Sequence, residues 1–393
     1  MHVWHIGAES SRAAIGGVNF VVWTLAERQV AQGARVTLVV PEAPDADTLV
    51  AAQAKGIEVV HVPLRYTLFD GKALRAALVA GRPDVAVLHS VFLPRLIGAS
   101  RVLKGADVPQ VFMAHGALAD KAMRRSALRK RLFVRLFEAP RIRRSGGVIL
   151  CTPSEAQDIE RVVPGYDGRV GVLYNPILLD DYRTATWNPP RGRPKALFIG
   201  RLDIEHKGID RLFAMAARMP EMDFRLHGNA DPRYEAEMRT LLAAAPSNLT
   251  VETPVFGADK VRAYAEATFV VQPSRWEGFP IINSEAMAVG APVAISSDVP
   301  LSKVLEDQGC GMVLPADPDR AVDVLRAALA DPARLRSISA AARRFAAAHF
   351  DPDRQAAAHL DLYRQVAADA HARSRAADPT HGEAPPALRA GGA

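Results

Sequence analysis

Segments with the pattern of β-strands alternate along this chain with segments typical of α-helices, and the alternation runs twice. The first series contains the strand candidates 2–6, 35–40, 57–62, 84–90, 110–116 and 147–152. A polar stretch with three prolines, 181–194, interrupts the pattern. The second series then contains 195–200, 223–228, 249–254, 268–273 and 292–296. Strands that alternate with helices form parallel sheets covered on both faces, so the chain is predicted to be an α/β protein with two such sheets.

The 393 residues are enough for two domains of ordinary size. We expect a Rossmann-like domain over 1–180 and a second over 181–366, in which the last helix packs back on the first domain. Helical patterns cover 317–348 and 351–367, and the composition of 367–393 predicts a disordered tail. Open parallel sheets bind ligands beyond the carboxyl ends of their strands, so two facing sheets predict a central ligand cleft.

Composition excludes several classes of protein. The chain is 49% hydrophobic and 23% charged, which is typical of globular proteins, and no apolar run reaches the ~18 residues of a membrane span. The N-terminus shows no signal-peptide pattern. Cys151 and Cys310 are too few for a disulfide scaffold or a thiolate metal site. A reduced, cytoplasmic setting is expected.

The net charge of +6 is concentrated in one segment, 121–144, which carries ten basic residues and one acid, Glu138. Apolar residues interleave at helical spacing: Leu128, Leu132, Phe133, Leu136 and Phe137. This pattern is typical of a basic amphipathic helix that lies peripherally on an anionic membrane surface. It equally fits a helix that packs on its own domain with a solvated basic face. No nucleic-acid recognition motif accompanies it, so no nucleic-acid partner is expected.

Two acids flank the start of a predicted helix in 275-RWEGFPIINSEAMAVG-290. Pro280 is expected at the first helical position and Gly290 just past the last. The helix N-terminus at a sheet edge favours an anion such as phosphate, so Glu277 is better explained as an acceptor for hydroxyl groups. With Glu285 on the second turn, the pair suits a ligand that carries phosphates and hydroxyls, such as a nucleotide-sugar. Alternatively, Glu277 caps the helix and Glu285 is a surface acid.

Three further stretches fall at predicted strand ends. Arg201 and Lys207 follow the strand that ends at Gly200 and suit a diphosphate, although ordinary surface charges would give the same pattern. Gly16 and Gly17 precede a helix and would let the backbone approach a ligand, or only form a turn. His115 lies at the cleft edge of its strand and is either functional or structural.

Neither of the glycine-rich fingerprints for dinucleotides or P-loop nucleotides fits the chain. Aspartate pairs at 45–47, 317–319 and 351–353 have adjacent prolines and indicate turns and helix starts. No Cys/His cluster has metal-ligand spacing. We therefore expect no metal and no cofactor.

Together these stretches resemble glycosyltransferase family four, whose members have the GT-B fold. The resemblance is carried by Gly16–Val18, His115–Gly116, 199-IGRLDIEHKGID-210 and 274-SRWEGFPIINSEAMAVGAPV-293, and it extends over residues 1–366. The last stretch matches the E-x7-E motif of the family with Glu277 and Glu285. The resemblance implies a retaining transfer of a sugar from a nucleotide-diphosphate sugar to a glycan or lipid-linked acceptor.

The same resemblance implies a role for each residue. Glu285 would bind the ribose, Arg201 and Lys207 with Gly17 would hold the diphosphate, and His115 would touch the transferred sugar. The donor sugar would contact Glu277 and the backbone of Gly278, Phe279, Pro280 and Ile281. Glu277, His115, Arg201 and Lys207 would thus be the catalytic group.

One position departs from the family pattern, because Pro280 stands where many relatives have glycine and removes one N–H donor. Relatives with this variant are often associated with bacterial polysaccharide assembly. A nucleotide-sugar epimerase with the same fold and a non-catalytic nucleotide-sugar binding protein remain alternatives.

Overall fold

The structure, a computed structural model, describes residues 1–11, 16–119, 123, 127–189 and 191–377. It contains two parallel sheets in Rossmann-like arrangement, which confirms the predicted α/β class. The first sheet has seven strands in the order β3-β2-β1-β6-β7-β8-β9. Its strands are β1 His2–Ile6, β2 Arg35–Val40, β3 Ile57–His61, β6 Val85–His89, β7 Gln110–Met113, β8 Gly147–Leu150 and β9 Arg169–Val172. A small hairpin, β4 Leu64–Arg65 and β5 Leu68–Phe69, lies beside it.

The second sheet has six strands in the order β12-β11-β10-β13-β14-β15. Its strands are β10 Lys195–Ile199, β11 Asp223–His227, β12 Leu249–Glu252, β13 Phe269–Gln272, β14 Val293–Ser296 and β15 Met312–Leu314. The central strands are buried because helices cover both faces, as their continuous apolar sequences predict.

The helices connect the strands in sequence. In the first half they are α1 Gly17–Ala31, α2 Ala46–Ala54, α3 Gly71–Ala80, α4 Pro94–Gly105, α5 Ala127–Phe133, α6 Ala139–Arg144 and α7 Glu155–Val162. A short α8, Leu179–Arg183, leads into the second half. There the helices are α9 Ile204–Lys207, α10 Ile209–Arg218, α11 Glu235–Ala243, α12 Gly257–Glu266, α13 Ile281–Val289, α14 Leu301–Asp307, α15 Pro318–Leu329, α16 Pro332–His349 and α17 Pro352–Ala377.

Helix α17 returns to the first sheet. It packs against α1 and contacts strands β6 to β9. Arg169 of β9 donates to the Asp369 carboxylate at 2.7 Å, and the Gln32 side chain donates to the Asp353 carbonyl. The helix extends through Ala377, so the tail expected from 367 is wrong over 367–377; Asp369, beyond the expected end of the helix, still pairs with Arg169 of the sheet. Residues 378–393 lie outside the described part of the chain.

The polar stretch 181–194 is not the loose connection that its prolines suggest. The Trp187 indole donates to the Ala267 carbonyl at 2.7 Å, and the backbone N–H of Asn188 donates to the carbonyl of Ala265. Tyr182 lies in helix α8. The connection therefore packs on the second domain.

Four of the described strands were not predicted from the sequence. The hairpin strands β4 and β5 have two residues each, β9 is a mostly exposed edge strand that contains Gly171, and β15 has only three residues. The single helical block predicted over 317–348 is two helices, since Asp331 caps a new helix at Pro332 with a hydrogen bond to the Arg334 N–H. The predicted aspartate turns are confirmed where Asp45 and Asp317 cap α2 and α15.

The basic segment is only partly described, since Lys121, Arg124 and Arg125 lie outside the described residues. From Ala127 to Arg144 the chain is helical, with a π-helical turn over Val134–Glu138. Leu128, Leu132 and Leu136 are exposed, by 83%, 55% and 54%.

One of the ten basic residues does not belong to the basic face. Arg141 is buried against Glu138 and Ser90, with its Nε 2.8 Å from the Glu138 carboxylate. Phe133 and Phe137 are half-buried and contact each other. Within the part of the chain that the structure describes, no helix has the length and apolarity needed to cross a membrane.

Candidate active site

The predicted site residues gather where the strand order of each sheet reverses. In the first sheet the reversal lies between β1 and β6, and in the second between β10 and β13. A crevice opens at such a point outside the carboxyl ends of the strands. Arg201 follows β10, and the loop with Glu277 follows β13. The fold therefore delivers these side chains to one place.

A cavity of about 660 Å³ lies at this point, within the size range of small-molecule sites. Both domains line it. The predicted site residues on its walls are Gly16, Gly17, Arg201, Lys207, Glu277, Phe279, Pro280, Ile281 and Glu285. His115 and Gly278 are not among the described residues of the wall; they meet each other instead.

Glu277 is at the centre of a polar group on the second domain. Lys207 donates to its carboxylate at 2.6 Å, and Ser274 donates at 2.8 Å. The His206 ring lies 3.7 Å from the other oxygen. Burial opposes ionisation of this carboxyl, but the charge of Lys207 and the contact with His206 hold its pKa down at about 2. Glu277 is therefore a buried carboxylate, not a solvent-exposed helix cap.

Glu285 has a separate set of partners. Tyr182 and Tyr264 each donate to it at 2.8 Å, and Lys260 lies 2.5 Å from it. Glu285 is 6% exposed, so the alternative of a surface acid is wrong. Burial and the neighbouring carboxylate raise the pKa of both tyrosines, which keeps them as hydrogen-bond donors.

Helix α13 directs its N-terminus at the same cavity. It begins at Ile281, and Pro280 is the residue before it, in extended conformation, rather than the first helical residue. The difference arises because Pro280 has ψ of 100°. Pro280, at the N-cap position, provides no side-chain cap, so the backbone N–H groups of this end favour an anion. Arg201, 55% exposed and 3.5 Å from Asp231, adds positive charge on the same wall.

The two domains touch through glycines. A Cβ atom on Gly278 would lie 1.8 Å from the His115 carbonyl oxygen, and one on Gly116 would lie 2.0 Å from the Gly278 Cα. Such a side chain would not fit without separating the domains. Gly116 also has φ of 74°, which favours glycine. Gly17 approaches less closely, since a Cβ atom there would lie 3.5 Å from the Ile281 side chain.

His115 lies at this contact and has φ of 53°. Its Nε2 atom is 3.0 Å from Nδ1 of His89. Its Nδ1 atom is buried and has no hydrogen-bond partner among the described residues. Burial lowers its pKa to about 3, so the ring is neutral at ordinary pH.

Sequence reasoning missed Lys260, Tyr182 and Tyr264, which contact Glu285, and Ser274, which contacts Glu277. Lys260 lies one turn into helix α12, and the sequence around it does not distinguish it from an ordinary surface lysine. Tyr182 lies in a stretch whose polarity indicates a linker. Only Ser274 had a signal, as it adjoins the motif stretch. No group of three or more potential metal ligands occurs among residues that the structure describes.

Comparisons with known proteins extend over both halves. The family "Glycosyltransferase Family 4" matches residues 15–181, and "Glycosyl transferases group 1" matches residues 184–345. A D-inositol 3-phosphate glycosyltransferase of Xylanimonas cellulosilytica is 28% identical over 366 residues, covering 84% of this chain and 87% of the relative. A phosphatidyl-myo-inositol mannosyltransferase of Mycobacterium tuberculosis is 32% identical over 149 residues, 36% of this chain and 37% of the relative.

Solved structures share the fold. Sucrose-phosphate synthase from Thermosynechococcus elongatus superimposes with a TM-score of 0.75 at 20% identity, covering 94% of this chain and 99% of that one. Anabaena HepE in complex with UDP and glucose gives 0.67 at 16% identity, covering 95% and 100%. The two family matches, which adjoin at the connection between the sheets, and the shared fold identify this chain as a GT-B member of glycosyltransferase family four.

Proposed function

We propose that the protein transfers a sugar from a nucleotide-diphosphate sugar to a glycan or lipid-linked acceptor with retention of configuration. The observation that carries the proposal is the shared cavity. Its walls combine two buried carboxylates, Arg201, Lys207 and an uncapped helix N-terminus. A nucleotide-sugar has the matching groups, a diphosphate and two sets of hydroxyls. The complex of Anabaena HepE with UDP and glucose supports this ligand class.

In this proposal the diphosphate lies at the N-terminus of α13, between Arg201 and Lys207. Glu285 accepts hydrogen bonds from the ribose and Glu277 from the sugar. The bond from the anomeric carbon to phosphate breaks while the acceptor oxygen bonds on the same face. The proton of the acceptor hydroxyl moves to a phosphate oxygen. Arg201 and Lys207 stabilise the charge that develops on the leaving diphosphate.

The wall supplied by the second domain has no spare catalytic base among its described residues. Glu277 is held as a carboxylate by Lys207 and Ser274, so it is suited to orient hydroxyls. Proton transfer to the leaving phosphate therefore fits the arrangement. We propose that the reaction needs no metal and no cofactor, as the cations of the cavity carry the charge.

The experiment is a turnover panel of UDP-, GDP- and ADP-sugars with the purified chain and with Arg201→Ala, Lys207→Ala and Glu277→Ala. We expect hydrolysis or transfer with one nucleotide family and loss of turnover in the variants, with the fold retained by circular dichroism. Wild-type turnover in all three folded variants would contradict the proposed site.

A nucleotide-sugar epimerase of the same fold is the second candidate. The same panel separates the two by their products. An epimerase inverts one carbon of the donor sugar and needs no acceptor, whereas a transferase passes the unchanged sugar to an acceptor or to water. A binding protein without activity is the third, and it would give ligand-induced stabilisation with no turnover. The family matches and the glycosyltransferase relatives favour the transferase over both alternatives.

The acceptor side is proposed from the helical segment 127–144. Exposed Leu128, Leu132 and Leu136 recur every four residues and form one face. Exposed Arg129, Arg131 and Arg135 flank them. Apolar side chains beside cations complement an anionic lipid surface. We therefore propose a cytoplasmic protein that associates peripherally with the membrane that holds its acceptor, in bacterial polysaccharide or glycoconjugate synthesis.

Flotation with vesicles tests the surface. The combined charge reversal Arg129→Glu, Lys130→Glu and Arg131→Glu should abolish binding to anionic vesicles at moderate salt. A matched reversal of exposed arginines elsewhere, Arg239→Glu and Arg262→Glu, should leave binding intact. Equal binding of the two variants would contradict the membrane proposal and leave the cavity proposal untouched.

A further inference from the structure

A row of three histidines runs through the first domain to the contact between the domains. His5 lies on β1, His89 ends β6, and His115 follows β7. His5 Nδ1 is 2.9 Å from His89 Nε2, and His89 Nδ1 is 3.0 Å from His115 Nε2. His5 and His89 are fully buried. The strands β1, β6 and β7 are neighbours in the sheet, which is why the side chains line up.

The row begins at an amide. Gln29 of α1 is fully buried, and its Oε1 lies 2.8 Å from His5 Nε2. An amide oxygen only accepts, so His5 Nε2 carries the proton. A neutral imidazole has one N–H, so His5 Nδ1 accepts from His89 Nε2–H. By the same rule His89 Nδ1 accepts from His115 Nε2–H.

All three rings must be neutral for this order to hold. Burial lowers the pKa of His5 to about 4 and that of His115 to about 3, and it lowers the pKa of His89 well below its ordinary value. His359 of α17 is a further neighbour, and its ring disfavours protonation of His89 and His115.

The last atom of the row is Nδ1 of His115, a lone-pair acceptor with no partner among the described residues. The backbone carbonyl of the same residue meets Gly278, which lies between two residues that line the cavity, Glu277 and Phe279. We infer that Gln29, His5 and His89 are positioning residues that fix His115 as the Nε2–H tautomer and so present Nδ1 as an acceptor for a hydroxyl of the transferred sugar. The inference rests on the proposed function for the identity of that ligand.

The opposite orientation of the Gln29 amide would reverse each hydrogen bond and leave a donor N–H at His115. A sugar hydroxyl can donate to an unprotonated His115 Nδ1 or accept from a protonated one. A sugar bound in one fixed orientation, however, matches only one of the two tautomers. The orientation of the Gln29 amide therefore decides whether His115 Nδ1 accepts or donates a hydrogen bond.

The direct test is ¹⁵N NMR of the histidine rings in the full chain at neutral pH, assigned by single His→Phe substitutions. We expect His115 to be neutral, with Nε2 protonated and Nδ1 unprotonated. A protonated Nδ1, as in the other tautomer or the imidazolium ion, would overturn the inference whether or not any variant folds.

Two variants extend the test to turnover. Gln29→Met removes the acceptor and keeps the side-chain length, and His5→Phe interrupts the row. Each should give a mixture of His115 tautomers and lower kcat roughly tenfold, with little change in the donor KM. The matched control is His2→Phe, which removes another buried histidine of β1 that bonds to Thr37 and not to the row. It should keep the His115 tautomer and the wild-type kcat.

The two ways of failing are distinguishable. If the wild type turns over no nucleotide-sugar, the proposed function fails, and the NMR result still decides the tautomer. If the wild type is active and Gln29→Met shifts the tautomer without changing kcat, the positioning role is wrong while the proposed function stands.

Discussion

The two walls of the cleft are built from different chemistry. The wall of the second domain carries charged side chains, with Glu277 and Glu285 each paired to a lysine. The wall of the first domain presents the Gly16–Gly17 backbone and apolar side chains with one carboxylate, Glu27, among its described residues, and the neutral His115 lies at the contact with Gly278. Charged groups bind a diphosphate, whereas backbone and neutral rings allow close approach to an uncharged sugar. For the proposed ligand, this difference assigns most of the charge recognition to the second domain and the close approach to the sugar to the first.

The largest effect is expected from Lys207→Ala. Loss of this cation removes stabilisation of the leaving diphosphate and leaves Glu277 without its closest partner, so kcat should fall about a hundredfold to a thousandfold. Steady-state kinetics with the accepted donor measure it. Lys303→Ala is the matched control, since that lysine pairs with Asp307 on an exposed face. If Lys303→Ala lowered kcat as much as Lys207→Ala, the role of Lys207 in the cavity would be wrong.

Gly278→Ala tests the closure. Because the new Cβ would meet the His115 carbonyl at 1.8 Å, the domains must move apart, and turnover should fall roughly tenfold to a hundredfold. Small-angle scattering should report a larger radius of gyration. Gly105→Ala, where nothing lies within 4 Å, should change neither quantity. An unchanged radius and wild-type turnover in Gly278→Ala would show that the contact is not needed.

Glu285→Gln sharpens the distinction between the two acids. The amide keeps one acceptor but leaves Lys260 without a carboxylate, so the KM for the donor should rise roughly tenfold while kcat changes little. Glu221→Gln, which alters an exposed pair with Arg326, is the control. A fall in kcat with unchanged KM would assign Glu285 to the reacting sugar instead.

The pH dependence of stability gives an effect of another kind, on folding and not on turnover. His5 has a folded pKa of about 4, below its ordinary 6.5, so the unfolded chain takes up the proton first and stability falls as pH drops below 6.5. Glu277, with a folded pKa of about 2, begins to lose its contribution only below its ordinary 4.5.

Between pH 6.5 and 4.5 each buried histidine should lower stability by at most about 1.4 kcal/mol per pH unit as the pH falls, while Glu155, whose pKa burial raises to about 7, contributes with the opposite sign. Urea unfolding across this range measures it. His5→Phe should change the slope by the contribution of one histidine, and Glu277→Gln should leave the slope in this range unchanged. The reverse result would contradict the contrast between His5 and Glu277.

Much of the fold was readable because strand and helix periodicities differ and proline and glycine mark the boundaries. The two acids and the helix N-terminus of the stretch around Glu277 could also be predicted, since a loop and the helix that follows it are adjacent in sequence. The edge strand β9 was not readable, because a short exposed strand with a glycine has no distinct pattern.

The remaining parts of the site depend on strand order. His5 and His89 are 84 residues apart and become neighbours only because β1 lies beside β6. Tyr182 reaches Glu285 across 103 residues because α8 packs on α13. The stretch 181–194 was likewise predicted to be a linker because it is polar. Its aromatic side chains, Tyr182 and Trp187, contact residues that are distant in the sequence.

The central claim is that the cavity binds a nucleotide-diphosphate sugar through its second-domain wall. Thermal unfolding of the wild type and Lys207→Ala with UDP-, GDP- and ADP-sugars tests it most directly. At about 100 times Kd, a ligand adds ~2.7 kcal/mol to the free energy of unfolding. The account predicts that one nucleotide family stabilises the wild type and that Lys207→Ala, itself folded, is stabilised much less. Equal stabilisation of both proteins, or none with any donor, would contradict it.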